Sequence, residues 1–201
     1  MKSSVKNFVD SNAEKLEAAA VFLLKFNLLA IPMYLVIFSG LQLYPLQLFL
    51  TDVVYSILKL SGYPVARLDA SSASFVISSS NASDSVNILM DMDCTAWKSM
   101  YAFAALVLAT PVPNDRRKLR FLSVGVAAIF LLNVVRIVTT VAAAYSFGFQ
   151  YLEIVHTVLW REGMILAVIA MWFWWIKRQE KKQKLIFREK QTILRTRKRN
   201  S

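Results

Sequence analysis

Four long apolar stretches constrain this chain more than any other feature: residues 18–43, 95–110, 121–145 and 154–176. A helix of about 20 apolar residues crosses the roughly 30 Å hydrocarbon layer of a bilayer, and a soluble core needs no such blocks. Only 18% of the residues are charged, below the roughly 25% usual in soluble domains. The pattern predicts an all-α polytopic membrane helix bundle of four spans, possibly five. Lys25, Asn27 and Pro32 interrupt the first span, and Lys25 lies close enough to the inner end to snorkel. The ambiguous fifth is 44–60. Its apolar residues Leu46, Phe49, Leu50, Val53, Val54, Ile57 and Leu58 recur at helical spacing, but Asp52 and Lys59 are costly at mid-membrane. The preferred expectation is a helix lying along the outer interface.

Charge orients the bundle. Residues 177–201 hold eleven Lys/Arg against two Glu, about +9 of the formal +11. The loop before residue 121 carries Arg116, Arg117, Lys118 and Arg120. Basic loops stay cytoplasmic, so both segments belong inside, with two spans between them. Residues 1–17 read as a cytoplasmic amphipathic start, 18–176 as the membrane-embedded domain and 177–201 as a basic cytoplasmic tail. No removable signal peptide is expected. The tail has Phe187 as its lone aromatic after Lys181; with no stacking platform it suits anionic lipid head groups, and no nucleic-acid partner is expected.

The outer loop, 61–93, has Arg67 as its one basic residue against four Asp. Two alternating stretches, 74–77 and 86–90, flank a turn-rich link, which predicts a small extracytoplasmic β-hairpin just before the cysteine. Within the link, Asn81-Ala82-Ser83 matches a glycosylation acceptor pattern, a short match that does not decide whether Asn81 is modified.

This topology collects three chemically distinctive residues near one membrane depth. Cys94, the single cysteine, stands at the outer start of the 95–110 span. Arg136 lies inside the next span, and an arginine in an apolar helix is usually functional or paired. His156, the single histidine, opens the last span. Asn133 and Thr140 lie three before and four after Arg136, on its helix face. Asp93, Glu153 and Glu162 are its candidate ion-pair partners. A thiol needs help to ionise at neutral pH. An imidazole can take its proton, a guanidinium can stabilise thiolate or oxyanion, and a helix N-terminus further favours the anion. That set supports acyl transfer through a thioester. One cysteine and one histidine make no structural zinc site, and neither a metal nor a cofactor is expected.

Three motifs resemble those of the exosortase/archaeosortase family: Asp93-Cys94-Thr95-Ala96-Trp97-Lys98-Ser99, Asn133-Val134-Val135-Arg136-Ile137 and Glu153-Ile154-Val155-His156. The similarity covers about residues 60 to 176. It implies a membrane cysteine transpeptidase for protein sorting in the plasma membrane, with its active site toward the extracytoplasmic face. Such an enzyme cleaves the C-terminal membrane-anchored sorting signal of a surface protein. It passes the new carboxyl end to an acceptor, a membrane lipid being the one expected. By carry-over Cys94 is the nucleophile, Arg136 the charge stabiliser and His156 the base or acid. One departure stands out. Glycine usually follows the family's Cys-Ser/Thr pair, and here Ala96 occupies that position, which matters if the backbone there needs positive φ. Two other readings compete: a non-catalytic membrane scaffold in which Arg136 is a structural ion-pair partner, and a boundary protease that hydrolyses without ligation.

Overall fold

The structure is a computed structural model that describes residues 2–78, 85–111, 115–148, 162–179 and 181. His156, Glu153, Asn81 and the tail from residue 182 lie outside the described residues. Helix α1 (Lys2–Ser39) is followed by α2 (Tyr44–Leu60), strands β1 (Val65–Ala66), β2 (Ser74–Ser78) and β3 (Ser85–Leu89), and a 3₁₀ turn (Asp93–Thr95). Then come α3 (Trp97–Ala109), α4 (Asp115–Phe147) and α5, a helix over 162–179.

Helix α1 runs unbroken through Pro32 and stops at Gly40, whose φ of +65° ends it in the left-handed conformation. The expected first span therefore closes at Ser39 rather than 43. Pro45, in the first turn of α2, restarts the chain as a helix where its missing N–H costs nothing.

Ring and hydrogen-bond contacts fix how the helices align. Tyr101 Oη donates to the Leu29 carbonyl at 2.8 Å, and Trp172 stacks on Phe22 while its indole N–H donates to Thr110. Phe121 lies flat on Trp175 and tilts against Phe103. Phe103 is buried over Gly125, where an added Cβ would sit 2.1 Å from the ring. That glycine is required by close approach of α3. These contacts pack α1, α3, α4 and α5 against one another.

Among the described residues, two helices are long and apolar enough to cross a membrane, Leu16–Ser39 and Arg116–Phe147. The span expected over 95–110 is instead a helix of 13 residues, about 20 Å at 1.5 Å per residue, short of the hydrocarbon thickness. The hairpin is present, β2 against β3 in antiparallel register from Ser74↔Leu89 to Ser78↔Ser85, and β1 adds a short third strand. The sheet's inward residues Phe75 and Ile77 are buried with Leu50, Val54 and Leu58 of α2 and Val134, Ile137 and Val141 of α4. This is a second core, separate from the one around Phe103 and Ile129.

The expectation for 44–60 needs correction. Phe49 stacks on Phe130, and Tyr63, three residues past the end of α2, meets Tyr145 edge-on. Helix α2 thus runs alongside α4 in the same direction instead of lying across the bundle's outer surface. Its buried face meets α4 and the sheet, and its polar face is used: the Asp52 carboxylate pairs with Arg67, whose guanidinium also donates to the Ala70 and Ser72 carbonyls. Asp52 is costly in lipid but well employed as the clamp on the β1–β2 loop.

Candidate active site at the cysteine turn

The two cores adjoin at one turn, where Cys94 packs against the first and Ala96 belongs to the second. The turn begins at Asp91, whose carboxylate accepts the Cys94 backbone N–H at 2.8 Å. It ends at Ala96, with φ 57° and ψ 18°. Ala96 is the single non-glycine residue at positive φ among the described residues, and it fills the position where the family pattern has glycine. The backbone there does adopt the left-handed conformation, at about 1–2 kcal/mol for an L-residue. Ala96→Gly relieves that strain but gives up a buried methyl and some unfolded-state entropy. Its melting temperature should stay within a few degrees of the parent. Ala96→Val puts a β-branched side chain at positive φ and should lower it well beyond that, as a thermal melt of the two variants would reveal.

Helix α4 holds the turn from the other side. Asn133, fully buried, donates from Nδ2 to the Cys94 carbonyl at 2.6 Å. Arg136, one turn further along and 7% exposed, donates to Asn133 Oδ1 at 3.4 Å. Thr140, also buried, donates to the Arg136 carbonyl at 2.8 Å. Residues 39 and 42 positions from the cysteine in sequence are thus gathered around it. Cys94 also lines a cavity of about 160 Å³ with Ile88, Leu89, Met90, Ile137, Thr140 and Val141.

Asp93, expected as a partner for Arg136, instead pairs with Lys98 at 2.7 Å on the exposed side of the turn. The carboxylate on the site side is Asp91, close enough for its charge to act on both the thiol and Arg136. Sequence reasoning missed Asp91. An Asp three residues before the first N–H of a tight helical turn is a capping signal, and it was the one cue available.

The thiol's electrostatics also need correction. Burial first, then a hydrogen bond and charge repulsion from the Asp91 carboxylate, push the Cys94 thiol up to about 12. The helix-terminus effect expected to favour a thiolate is outweighed, because the turn is desolvated and faces an acid. An exposed thiol is half-ionised near about 8.5. Alkylation of Cys94 by iodoacetamide in the resting protein should therefore climb with pH without levelling off by pH ~10. Asp91→Asn removes the anion, so its profile should move to lower pH; an unchanged profile would assign the whole effect to burial. The linked stability runs the same way. Between about 8.5 and 12 the unfolded thiol loses its proton and the folded one keeps it, so stability falls as pH rises through that window.

Among the described residues, no three His, Cys, Asp or Glu side chains come together as a metal site requires. A family model described as transmembrane exosortase matches residues 15–159, a stretch containing Cys94, Arg136 and His156. The chain belongs to the transmembrane exosortase family. No curated protein and no solved structure matches it. Membership makes this exosortase a membrane protein and suggests a membrane transpeptidase of the sorting type.

Proposed function

We propose that this exosortase is a cysteine transpeptidase that cleaves the C-terminal sorting signal of membrane-anchored surface proteins and transfers the new carboxyl end to a membrane lipid. The observation that carries the reading is the Cys94–Asn133–Arg136 chain of contacts, which ties the cysteine's backbone to a buried guanidinium whose charge acts on the thiol. In this reading Cys94 Sγ attacks the scissile carbonyl and the tetrahedral oxyanion forms near Arg136. His156, assigned by family resemblance, takes the thiol proton and delivers it to the departing amine. The resulting thioester is attacked by the acceptor's nucleophile, which gives its proton to His156, and Cys94 leaves to be reprotonated.

The basic 116–120 segment and the tail are assigned to the cytoplasm, and Cys94 to the extracytoplasmic side. At the tail end of α5, Lys177 lies over Phe173 and Arg178 over Trp174, cation–π pairs suited to a head-group boundary. The test is product mass. In membranes containing the protein and a reporter that ends in a short motif, an apolar helix and a basic cluster, a truncated product carrying lipid mass is expected. A hydroxylamine-sensitive adduct on Cys94 should accompany it. A truncated product with a free carboxylate reassigns the enzyme to hydrolysis, and an uncut reporter overturns the reading.

A further inference from the structure

Strand β3 is an edge. The sheet order is β1-β2-β3, so among the described residues nothing pairs with its outer side. The hydrogen-bond phase identifies the free groups. Met90 donates its N–H to the Ala73 carbonyl at 2.8 Å, which makes that pair, and by alternation Ile88 and Val86, the ones bonded to β2. The backbone N–H and C=O groups of Leu89, Asn87 and Ser85 therefore point to the open side.

Natural sheets blunt such an edge with Lys, Pro, a bulge or extreme shortness. The opposite edge, β1, is two residues long. β3 is Ser-Val-Asn-Ile-Leu, regular and uncharged, and ends in Leu89 at 67% exposure. Its direction is also informative. Its Ser85 end pairs with Ser78, whose N–H bonds to Pro64 beside the Tyr63–Tyr145 contact. Its Leu89 end lies level with Ile137 and Thr140. The strand thus descends along α4 toward the cysteine turn. Ile88, half-buried, and Leu89, exposed, both line the cavity shared with Cys94, so residues from both faces of the sheet reach it where the strand ends.

We infer that the open edge of β3 is the substrate-binding site, taking the extended peptide segment that precedes the scissile bond as a fourth, parallel strand. This rests on the reading of Cys94 as nucleophile. The continuity of edge, cavity and thiol selects the occupant. A chain descending from the extracytoplasmic side toward its own membrane anchor runs in the direction of β3, and its backbone pairs with Asn87 and Leu89 as its carbonyl arrives at Cys94. Recognition through main-chain bonds is largely independent of side chains, so a generic peptide serves as a probe.

The experiment uses the full chain in its membranes, where Cys94 is the single cysteine to label. Acetyl-alanyl and acetyl-tetra-alanyl chloromethyl ketones alkylate a thiol with loss of chloride, and the adduct is read by intact mass. The longer probe should label Cys94 at least about tenfold faster, the equivalent of two or more main-chain bonds at about 0.5–1.5 kcal/mol each. N-methylating its residues one at a time should cancel the gain at alternate positions and spare it at the others. Asn87→Pro removes an outward N–H without breaking a bond to β2, and the ratio of long- to short-probe rates should fall to about one. Equal rates for both probes on the parent chain, or uniform loss along the N-methyl series, overturns the edge site while leaving Cys94 reactive. A Cys94 that takes up neither probe at any pH up to 10 overturns the nucleophile reading and this inference with it.

Discussion

Serine in place of Cys94 is expected to reduce reporter processing by a factor on the order of 10⁴ or more, the scale on which losing an activated nucleophile costs an enzyme that relies on it. The site makes this substitution harsh. The turn is desolvated and Asp91 already holds the thiol proton up to about 12. A hydroxyl has a higher intrinsic pKa than a thiol and is a poorer nucleophile and leaving group, so both formation and breakdown of the acyl intermediate slow. The fold should barely notice. Oγ is smaller than Sγ, the Asp91 contact to the backbone N–H survives, and the Asn133 contact uses a carbonyl that every residue has. Reporter cleavage by blot, alongside a thermal melt, separates the two. A serine variant that processes at near-parent rates with an unchanged melt removes the catalytic reading and leaves the non-catalytic scaffold.

Much of this arrangement was legible in the chain, and where it was not, the physical reason can be named. The hairpin declared itself most clearly at 86–90, where β3 alternates exposed and half-buried residues with the pleat; at 74–77 Ser74 and Phe75 are both buried. The polar face of α4 was legible because Asn133, Arg136 and Thr140 are costly in an apolar helix unless they are used together. The path of α2 was not. Asp52 and Lys59 argue against hydrocarbon on any single-helix scale, and nothing local reveals that Arg67, fifteen residues on, returns to neutralise Asp52. The short α3 was hidden for a similar reason. Apolar residues 95–110 read as a span because sequence cannot show that the tight turn over Asp93–Thr95 and the left-handed Ala96 delay the helix to Trp97 and that it ends at Ala109. Asp91 was overlooked in favour of Asp93 because spacing alone does not show that Asp93 turns out to Lys98 while Asp91 accepts the Cys94 backbone N–H.

Arg136→Lys is the second large effect expected, and it decides whether this buried cation supports chemistry or merely folding. Arginine keeps its charge in surroundings where a lysine sheds it, and its planar fork reaches Asn133 while its charge acts on the thiol. Lysine keeps the formal charge but not the fork, and desolvation at a 7%-exposed site favours its neutral form. If an oxyanion develops beside Arg136, turnover should fall about 10²–10³-fold, the range seen when one such donor is lost, with KM for the reporter nearly unchanged. The structural alternative makes a different demand: an ion-pair partner needs charge at roughly this place, so lysine should preserve processing and any defect should appear in the melt. Arg136→Met sharpens the contrast. Replacing a buried charge with an apolar side chain of similar length can leave stability intact, yet no transition-state charge can be stabilised by a thioether. Processing lost in both variants, with at least one melting near the parent temperature, assigns Arg136 to the reaction. Processing kept in Arg136→Lys assigns it to the scaffold of α4, and Cys94 would then have to work without the cation that Asn133 holds at its side.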